Sequence, residues 1–67
     1  MKISERLKVL RKRHGLKLRE ISELTGLSVS YISDIERGRT MPSVETCGKL
    51  AEVYGVSLSN LFRGVEI

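Results

Sequence analysis

Apolar residues recur at intervals of three and four along most of the chain, and short polar or glycine-containing segments separate the runs. This is the spacing of amphipathic helices, and no segment shows the alternation expected of a half-buried strand. Serine at the start of a run and glycine after its end are typical helix boundaries. The pattern predicts five short helices, over residues 4–13, 18–25, 29–37, 44–54 and 58–62.

The predicted fold is therefore all-α, in one domain that spans residues 1–67. A serine hydroxyl at a helix start accepts a hydrogen bond from an otherwise unpaired backbone N–H. The candidates for this capping role are Ser4, Ser28, Ser43 and Ser57. The side chains expected to reach the core are Ile3, Leu7, Leu10, Ile21, Leu24, Ile32, Ile35, Val44, Cys47, Leu50, Ala51, Tyr54, Leu61 and Phe62.

One residue conflicts with its predicted element. Gly48 lies inside the fourth helix, where glycine is about 1 kcal/mol less favourable than alanine. Close packing against a neighbouring helix would explain a glycine at this position, although it has no necessary functional meaning.

The most specific spacing lies in the segment LKLREISELTGLSVSYISDIERGRTMP, which covers residues 16–42. Two short helices flank a turn with Gly26 at its corner, and the small residue Ser22 lies midway along the first of them. The apolar residues placed where two crossing helices would touch are Ile21, Leu27, Ile32 and Ile35. This arrangement predicts a helix-turn-helix over about residues 18–37, a motif that places its second helix in the DNA major groove.

Charge is distributed unevenly along the chain, whose formal net charge is +4. Residues 1–19 contain eight Lys or Arg and one acid, whereas residues 20–67 contain four basic and seven acidic residues. The two parts therefore carry charges of +7 and −3. This asymmetry is compatible with a solvated helix face, but beside the predicted helix-turn-helix it favours an anionic partner that binds one side of the domain.

Several classes of site are not expected. The single cysteine cannot form an internal disulfide and belongs to no metal-binding motif, which indicates a reducing, cytosolic environment. No serine lies in a glycine-rich nucleophile elbow, and no acid pair is spaced for catalysis. We therefore expect no enzyme activity, no cofactor, no metal and no small-molecule site. No apolar run approaches the roughly 18 residues of a membrane span.

Four segments, in order and correctly spaced, resemble the Cro/C1-type (XRE) family of phage and bacterial repressors over about residues 3–62. They are RLKVLRKRHGL, EISELTGLS, YISDIERGRTMPS and KLAEVYGVSLSNLF. The segments YISDIERGRT and LFRGVE also resemble the N-terminal domain of DNA-damage-response repressors of Deinococcus. The resemblance implies a five-helix, lambda-repressor-like fold and a transcriptional regulator, with repressor as the expected role. It implies double-stranded DNA as the partner, bound by a homodimer at a pseudo-palindromic operator, in the cytoplasm of a bacterial, archaeal or phage-infected cell.

Helix geometry selects the residues that face DNA. With Ile32 and Ile35 buried, the outer stripe of the third helix is predicted to contact base edges through Val29, Ser30, Ser33 and Asp34. Val29 suits a thymine methyl group and Asp34 suits the N4 amino group of cytosine, whereas the two serines discriminate weakly or remain solvated. Because this stripe lacks Arg, Asn and Gln, DNA shape and backbone contacts should carry a large share of recognition.

Phosphate contacts are expected from residues at both ends of the motif. These candidates are Lys17, Arg19, Ser28, Tyr31, Arg37, Arg39 and Thr40. For Tyr31 the alternative is partial burial against the loop at Met41. The second helix departs from the family pattern, since Lys17 and Leu18 stand where a Ser or Thr cap and a Gln are usual. Leucine cannot supply the glutamine's hydrogen bonds.

The resemblance also assigns Arg11 and Glu36 to positions that form a partly buried ion pair in several family members. The alternative is two independent surface charges. Candidate dimer contacts are the apolar residues after the fourth helix, Val56, Leu58, Val65 and Ile67. A second hypothesis for the whole domain is a protein-interaction module that has lost DNA binding. Leu18 and Asp34 favour that hypothesis, whereas Lys17, Arg19 and Arg39 oppose it.

Overall fold

The computed structural model describes residues 1–66, and these residues form five helices and no strand. The helices are α1 (Ile3–Arg13), α2 (Leu18–Thr25), α3 (Val29–Glu36), α4 (Val44–Val53) and α5 (Leu58–Leu61). Each observed boundary lies within one residue of its predicted position. The all-α prediction is therefore confirmed. No helix within residues 1–66 has both the length and the apolar run needed to cross a membrane.

A single core lies between the helices. α3 packs on α1 and α2, and α4 packs on α2 and α5. The side chains that form this core are Ile3, Leu7, Leu10, Ile21, Ile32, Ile35, Cys47, Leu50, Ala51, Tyr54 and Leu61. All of them were expected from their helical spacing, so this part of the core prediction is confirmed.

Three residues predicted to be buried are exposed instead. Leu24 is 65% exposed, Val44 is 72% exposed and Phe62 is 37% exposed. Leu24 lies in the last turn of α2 and lines a shallow groove beside Val53 rather than the core. Val44 is the first residue of α4, before the helix reaches the core, and Phe62 follows the end of α5. Periodicity predicted these positions wrongly because such short helices bury only the part of the face that a neighbour covers.

Three of the four predicted serine caps are confirmed. Ser28, Ser43 and Ser57 accept hydrogen bonds from backbone N–H groups three residues ahead, at 3.1, 3.1 and 3.0 Å. The prediction for Ser4 is wrong, because α1 begins one residue earlier and Lys2 is its cap. There the Glu5 carboxylate folds back and accepts the backbone N–H of Lys2 at 3.1 Å.

The corner of the helix-turn-helix is held by side chains as well as by glycine. Gly26 adopts φ +77°, a left-handed conformation that favours glycine. The Ser22 hydroxyl donates to the carbonyl of Leu27. The Thr25 hydroxyl donates to the carbonyl of Ile21 at 2.7 Å and accepts from the backbone N–H of Leu27 at 3.2 Å. Ser22 therefore fixes the entry to α3 in addition to being small enough for two crossing helices.

Other contacts tie the C-terminal part of the domain to α1. The Arg6 guanidinium donates to the Asn60 carbonyl at 3.2 Å, to Asn60 Oδ1 at 3.1 Å and to the Leu61 carbonyl at 3.4 Å. Val56 and Val65 pack against the core and are partly buried, so they are less exposed than we expected of dimer contacts. Leu58 remains exposed, and Ile67 lies outside the described residues.

Gly48 has no packing role of the kind that we expected. A Cβ atom built at this position would meet no neighbouring heavy atom within 4 Å. The close-packing explanation is therefore wrong, and nothing in the structure explains the glycine.

Candidate nucleic-acid interface

The outer face of α3 carries the residues predicted to contact bases, which we call the base-contact stripe: Val29, Ser30, Ser33 and Asp34. Val29 and Ser30, at the start of the helix, are exposed, whereas Ser33 is only partly exposed. Ile32 and Ile35 on the opposite face are buried. Because the inner face is fixed in the core, the orientation of the stripe relative to the domain is fixed as well.

A basic loop follows α3 and begins at Gly38, whose φ is +75°. The backbone N–H of Arg39 donates to the carbonyl of Asp34 at 2.9 Å. This hydrogen bond closes the turn that ends the helix and holds Arg39 beside its last residues. The Arg39 guanidinium lies 4.0 Å from the Asp34 carboxylate, with side-chain exposures of 67% and 45%. A residue predicted to contact bases and one predicted to contact phosphate are therefore adjacent.

Most of the other predicted phosphate contacts are solvent-exposed. The exposed set is Lys17, Arg19, Ser28, Arg37 and Thr40. Lys17 caps α2, and its own backbone N–H is bound by the Glu20 carboxylate at 2.8 Å. The Ser28 oxygen accepts from Tyr31 N, which leaves its hydroxyl proton available to an acceptor outside the domain. These residues frame α3 at both ends, as contacts to a DNA backbone on either side of a groove require.

Tyr31 is placed differently from a freely exposed phosphate contact. Its ring packs partly buried against the core, and its hydroxyl lies 3.2 Å from the hydroxyl of Thr46. The Ser43 hydroxyl donates to the same Thr46 oxygen at 3.0 Å. Thr46 is buried, so this chain of hydroxyls connects α3 to the first turn of α4. Sequence reasoning missed the role of Thr46, because nothing local to residue 46 indicates a partner in α3.

Arg11 and Glu36 lie in contact. Arg11 Nε donates to Glu36 Oε2 at 2.8 Å, and Arg11 Nη2 donates to Glu36 Oε1 at 2.9 Å. Arg11 Nη1 donates to the Leu16 carbonyl at 2.9 Å, a contact that the sequence did not indicate. The hydrogen bonds that Arg11 donates to the Glu36 carboxylate raise the pKa of the Arg11 guanidinium, although burial opposes this effect. The pair joins α1, the loop after it and the end of α3, and thereby fixes the position of that end of the helix.

Tyr54 is buried beside this ion pair. Burial, with a smaller effect of the nearby Glu36 carboxylate, raises the pKa of Tyr54 to about 12. The His14 ring lies with its centroid 5.6 Å from that of Tyr54. Arg11 and Glu36 are paired and burial holds the Tyr54 phenol in its neutral form, so these three side chains together support the end of α3.

Residues 1–66 contain no group of three or more His, Cys, Asp or Glu side chains arranged to hold a metal ion. Cys47 is a free, buried thiol whose pKa is raised by burial. The groove at Leu24 has a volume of about 380 Å³, and its lining includes Thr25, Lys49 and Glu52. It lies between α2 and α4, away from the base-contact stripe.

The family described as Helix-turn-helix matches this chain over residues 7–61. The chain belongs to this helix-turn-helix family. The matched residues run from the buried Leu7 of α1 to the buried Leu61 of α5, so they include the whole described core apart from Ile3. The resemblance to Cro/C1-type repressors is thereby confirmed.

Curated relatives of this helix-turn-helix chain are transcriptional regulators by name. The chain is 50% identical over 66 residues to the HTH-type transcriptional regulator DdrOP3 of Deinococcus deserti, which covers 98% of this chain and 51% of the relative. It is 45% identical over 62 residues to the HTH-type transcriptional regulator PuuR of Escherichia coli, covering 92% of this chain and 34% of the relative. The chain thus spans about half or less of the length of these relatives.

Solved structures of helix-turn-helix proteins share the fold. SinR, a master regulator for biofilm formation solved in complex with DNA, superimposes with a TM-score of 0.82 at 38% identity, covering 90% of this chain and 97% of that one. The P22 c2 repressor, solved with a synthetic operator, gives a TM-score of 0.85 at 26% identity, covering 96% of this chain and 97% of that one. Both comparisons support the five-helix, lambda-repressor-like architecture.

Proposed function

We propose that this chain is the DNA-binding domain of a transcriptional regulator and that α3 enters the major groove of double-stranded DNA. The observation that carries the proposal is that α3 has one buried face and one exposed face. Ile32 and Ile35 anchor one face in the core, and Val29, Ser30 and Asp34 remain available on the other. A helix anchored in this way can present its first turns to base edges without disturbing the core. The DNA-bound structures of SinR and the P22 c2 repressor support this docking.

Backbone contacts supply much of the affinity in this proposal. Lys17, Arg19, Arg37, Arg39 and Thr40 bind phosphates on the two sides of the groove, and the Ser28 and Tyr31 hydroxyls add neutral donors. For all of these residues except the partly buried Tyr31, the support is their exposure at the two ends of the motif, together with the excess of basic residues in the first part of the chain. Val29 contacts a thymine methyl group, and Asp34 accepts from cytosine N4, with Ser30 and Ser33 as weaker readers.

We further propose that the regulator is a repressor that binds a pseudo-palindromic operator as a two-fold dimer. One helix-turn-helix reads a half-site, and two half-sites about one helical turn apart, ~34 Å, require two subunits. On the domain itself, Leu58 and Phe62 are the exposed apolar side chains at α5 that a partner would cover. Action on a chromosome or phage genome places the protein in the cytoplasm.

The test is selection of bound duplexes from a random pool, followed by measurement of the salt dependence of binding. A dimer that neutralises six to eight phosphates should give a slope of log K against log salt of roughly −5 to −7. Removing one of these charges with Lys17→Gln or Arg19→Gln should make the slope less negative by about 0.9 per subunit. Lys49→Gln is the matched control, because it makes the same change in charge in the groove between α2 and α4, away from the base-contact stripe. It should leave the slope unchanged. Absence of binding to any duplex by the folded chain would reject the proposal.

A second function is favoured by one observation, the groove between α2 and α4 that the exposed Leu24 lines together with Val53, Lys49 and Glu52. A protein-interaction module of the same fold would use such a surface and would tolerate Leu18 and Asp34 in the helix-turn-helix. The selection experiment separates the two functions, because an interaction module that has lost DNA binding yields no enriched duplex.

A further inference from the structure

The contact between Asp34 and Arg39 joins two groups that the proposed function uses separately. Asp34 belongs to the base-contact stripe, and Arg39 belongs to the phosphate-contacting loop. Their charged ends are 4.0 Å apart, and 67% of the Arg39 side chain and 45% of the Asp34 side chain are exposed. The backbone bond from Arg39 N to the Asp34 carbonyl, at 2.9 Å, fixes the main chain between them. Exchange of partners therefore requires only the rotation of exposed side chains and no movement of the fold.

When α3 lies in a major groove, Asp34 and Arg39 can each exchange the other for a different binding partner on the DNA. In the major groove a carboxylate accepts a hydrogen bond from the N4 amino group of cytosine. Guanine and thymine present only acceptors to it, adenine presents its N6 amino group beside the N7 acceptor, and the phosphates repel it. Arg39 binds a phosphate or remains with Asp34. On a sequence that presents no base amino group to Asp34, the carboxylate has no better partner than Arg39.

We propose that Asp34 couples base reading to backbone binding. On a matching sequence, cytosine takes the carboxylate, and Arg39 is released to a phosphate. On other sequences Asp34 retains Arg39, and this phosphate contact is lost together with the base contact. Asp34 is thus a specificity-determining residue that acts partly by withholding Arg39 from unrelated DNA. This inference rests on the proposed function.

The experiment uses the 67-residue chain and two duplexes, one selected by the wild-type chain from a random pool and one with the same bases in scrambled order. Affinity is measured over a range of salt for wild type, Asp34→Asn, Arg39→Gln and the double variant. Because an exposed ion pair is weak, Asp34→Asn should bind the scrambled duplex about two- to fivefold more tightly per subunit. Its salt slope on that duplex should become more negative by about 0.9 per subunit, and its preference for the selected duplex should fall.

The Arg39→Gln background separates coupling from simple repulsion. There, Asp34→Asn should give much less of the gain on scrambled DNA, since no arginine remains to be released. Glu52→Gln, which removes one acidic charge from the groove beside α2 and α4, is the control for net charge and should affect both duplexes equally.

Two results would overturn the coupling. One is an equal change in affinity of Asp34→Asn for both duplexes, and the other is an undiminished gain in the Arg39→Gln background, which would mean that Asp34 acts through its own charge alone. A folded wild-type chain that binds neither duplex would instead reject the proposed function itself, and with it the coupling.

Discussion

Glu36 and Arg11 form a two-point ion pair in which Arg11 Nε and Nη2 each donate to a different carboxylate oxygen, at 2.8 and 2.9 Å. Only 7% of the Glu36 side chain and 14% of the Arg11 side chain are exposed. The remaining guanidinium nitrogen is also bound, by the carbonyl of Leu16. The pair is therefore shielded from water and satisfied, which is the situation in which removing one partner is most destabilising.

We expect Glu36→Ala to lower the free energy of unfolding by about 3–5 kcal/mol, because it leaves the Arg11 charge desolvated and unpaired. A double-mutant cycle with Arg11→Ala, followed by urea unfolding, measures the coupling. Asp34 and Arg39 provide the matched control, since their exposed pair should couple by less than about 1 kcal/mol. A coupling energy below about 0.5 kcal/mol for Arg11 and Glu36 would show that the two charges act independently.

The second prediction concerns Tyr54 at alkaline pH. Its pKa is raised by burial to about 12 in the folded chain, from an ordinary value of 10.0. The native state therefore retains this proton when the unfolded state releases it. The resulting contribution to stability is complete below pH 10 and is lost as the pH rises from 10 to 12, at about 1.4 kcal/mol per pH unit in that window.

Urea unfolding at pH 9, 10 and 11 of the wild type and of Tyr54→Phe measures this contribution. The phenylalanine variant keeps Cys47 and all other titrating groups, so the difference between the two proteins isolates the phenol. The stability of the wild type relative to the phenylalanine variant should fall as the pH rises, because only the wild type has this proton to lose. Parallel curves over the same range would contradict the raised pKa.

Local chemistry explains what could be predicted of the fold. A serine cap and its N–H partner are three residues apart, so Ser28, Ser43 and Ser57 were readable from the sequence. The start of α1 was not, because Glu5 reaches back to Lys2 and displaces Ser4 from the capping position. The exposure of Leu24 depends on where α4 ends beside it. The spacing of residues within α2 carries no information about the end of α4.

In the candidate site, too, only the features set by local spacing could be predicted from the sequence. Helical periodicity alone placed Val29 and Asp34 on the exposed face of α3. The contact of Arg6 with Asn60 joins residues 54 positions apart, and that of Tyr31 with Thr46 joins residues 15 apart. Neither leaves a local pattern. The pairing of Arg11 with Glu36 was suggested only by resemblance to a family, because their separation of 25 residues has no signature in this sequence alone.

The third prediction is that Gly48→Ala stabilises the domain. A methyl group at this position meets no atom within 4 Å, and alanine favours a helix interior over glycine by about 1 kcal/mol. In a domain of this size, that gain corresponds to a rise in Tm of roughly 4–8 °C.

Gly26→Ala is the control for the Gly48 prediction, since φ +77° strains any residue with a side chain and the substitution should lower Tm. Thermal unfolding followed by circular dichroism measures both variants. A fall in Tm for Gly48→Ala would contradict the prediction, because it would show that the added methyl group disturbs the folded domain at a position where the structure leaves open space.

The last prediction separates the structural and DNA-binding roles of the Tyr31 hydroxyl. Ser43 donates to Thr46 Oγ1, so the Thr46 proton is free to bind the Tyr31 oxygen and the Tyr31 proton is free to point outward. Tyr31→Phe and Thr46→Val each remove one hydroxyl of this contact, and each should cost about 1 kcal/mol of stability.

If the outward proton binds a phosphate, Tyr31→Phe also weakens binding to selected and scrambled duplexes alike, by about tenfold per subunit, whereas Thr46→Val does not. The salt slope should stay the same in both variants, because a hydroxyl releases no counterion. Urea unfolding and duplex titration of the two proteins provide the four measurements. Equal losses of stability with unchanged DNA affinity in both would assign the Tyr31 hydroxyl to the support of α3 on α4 and to nothing beyond it.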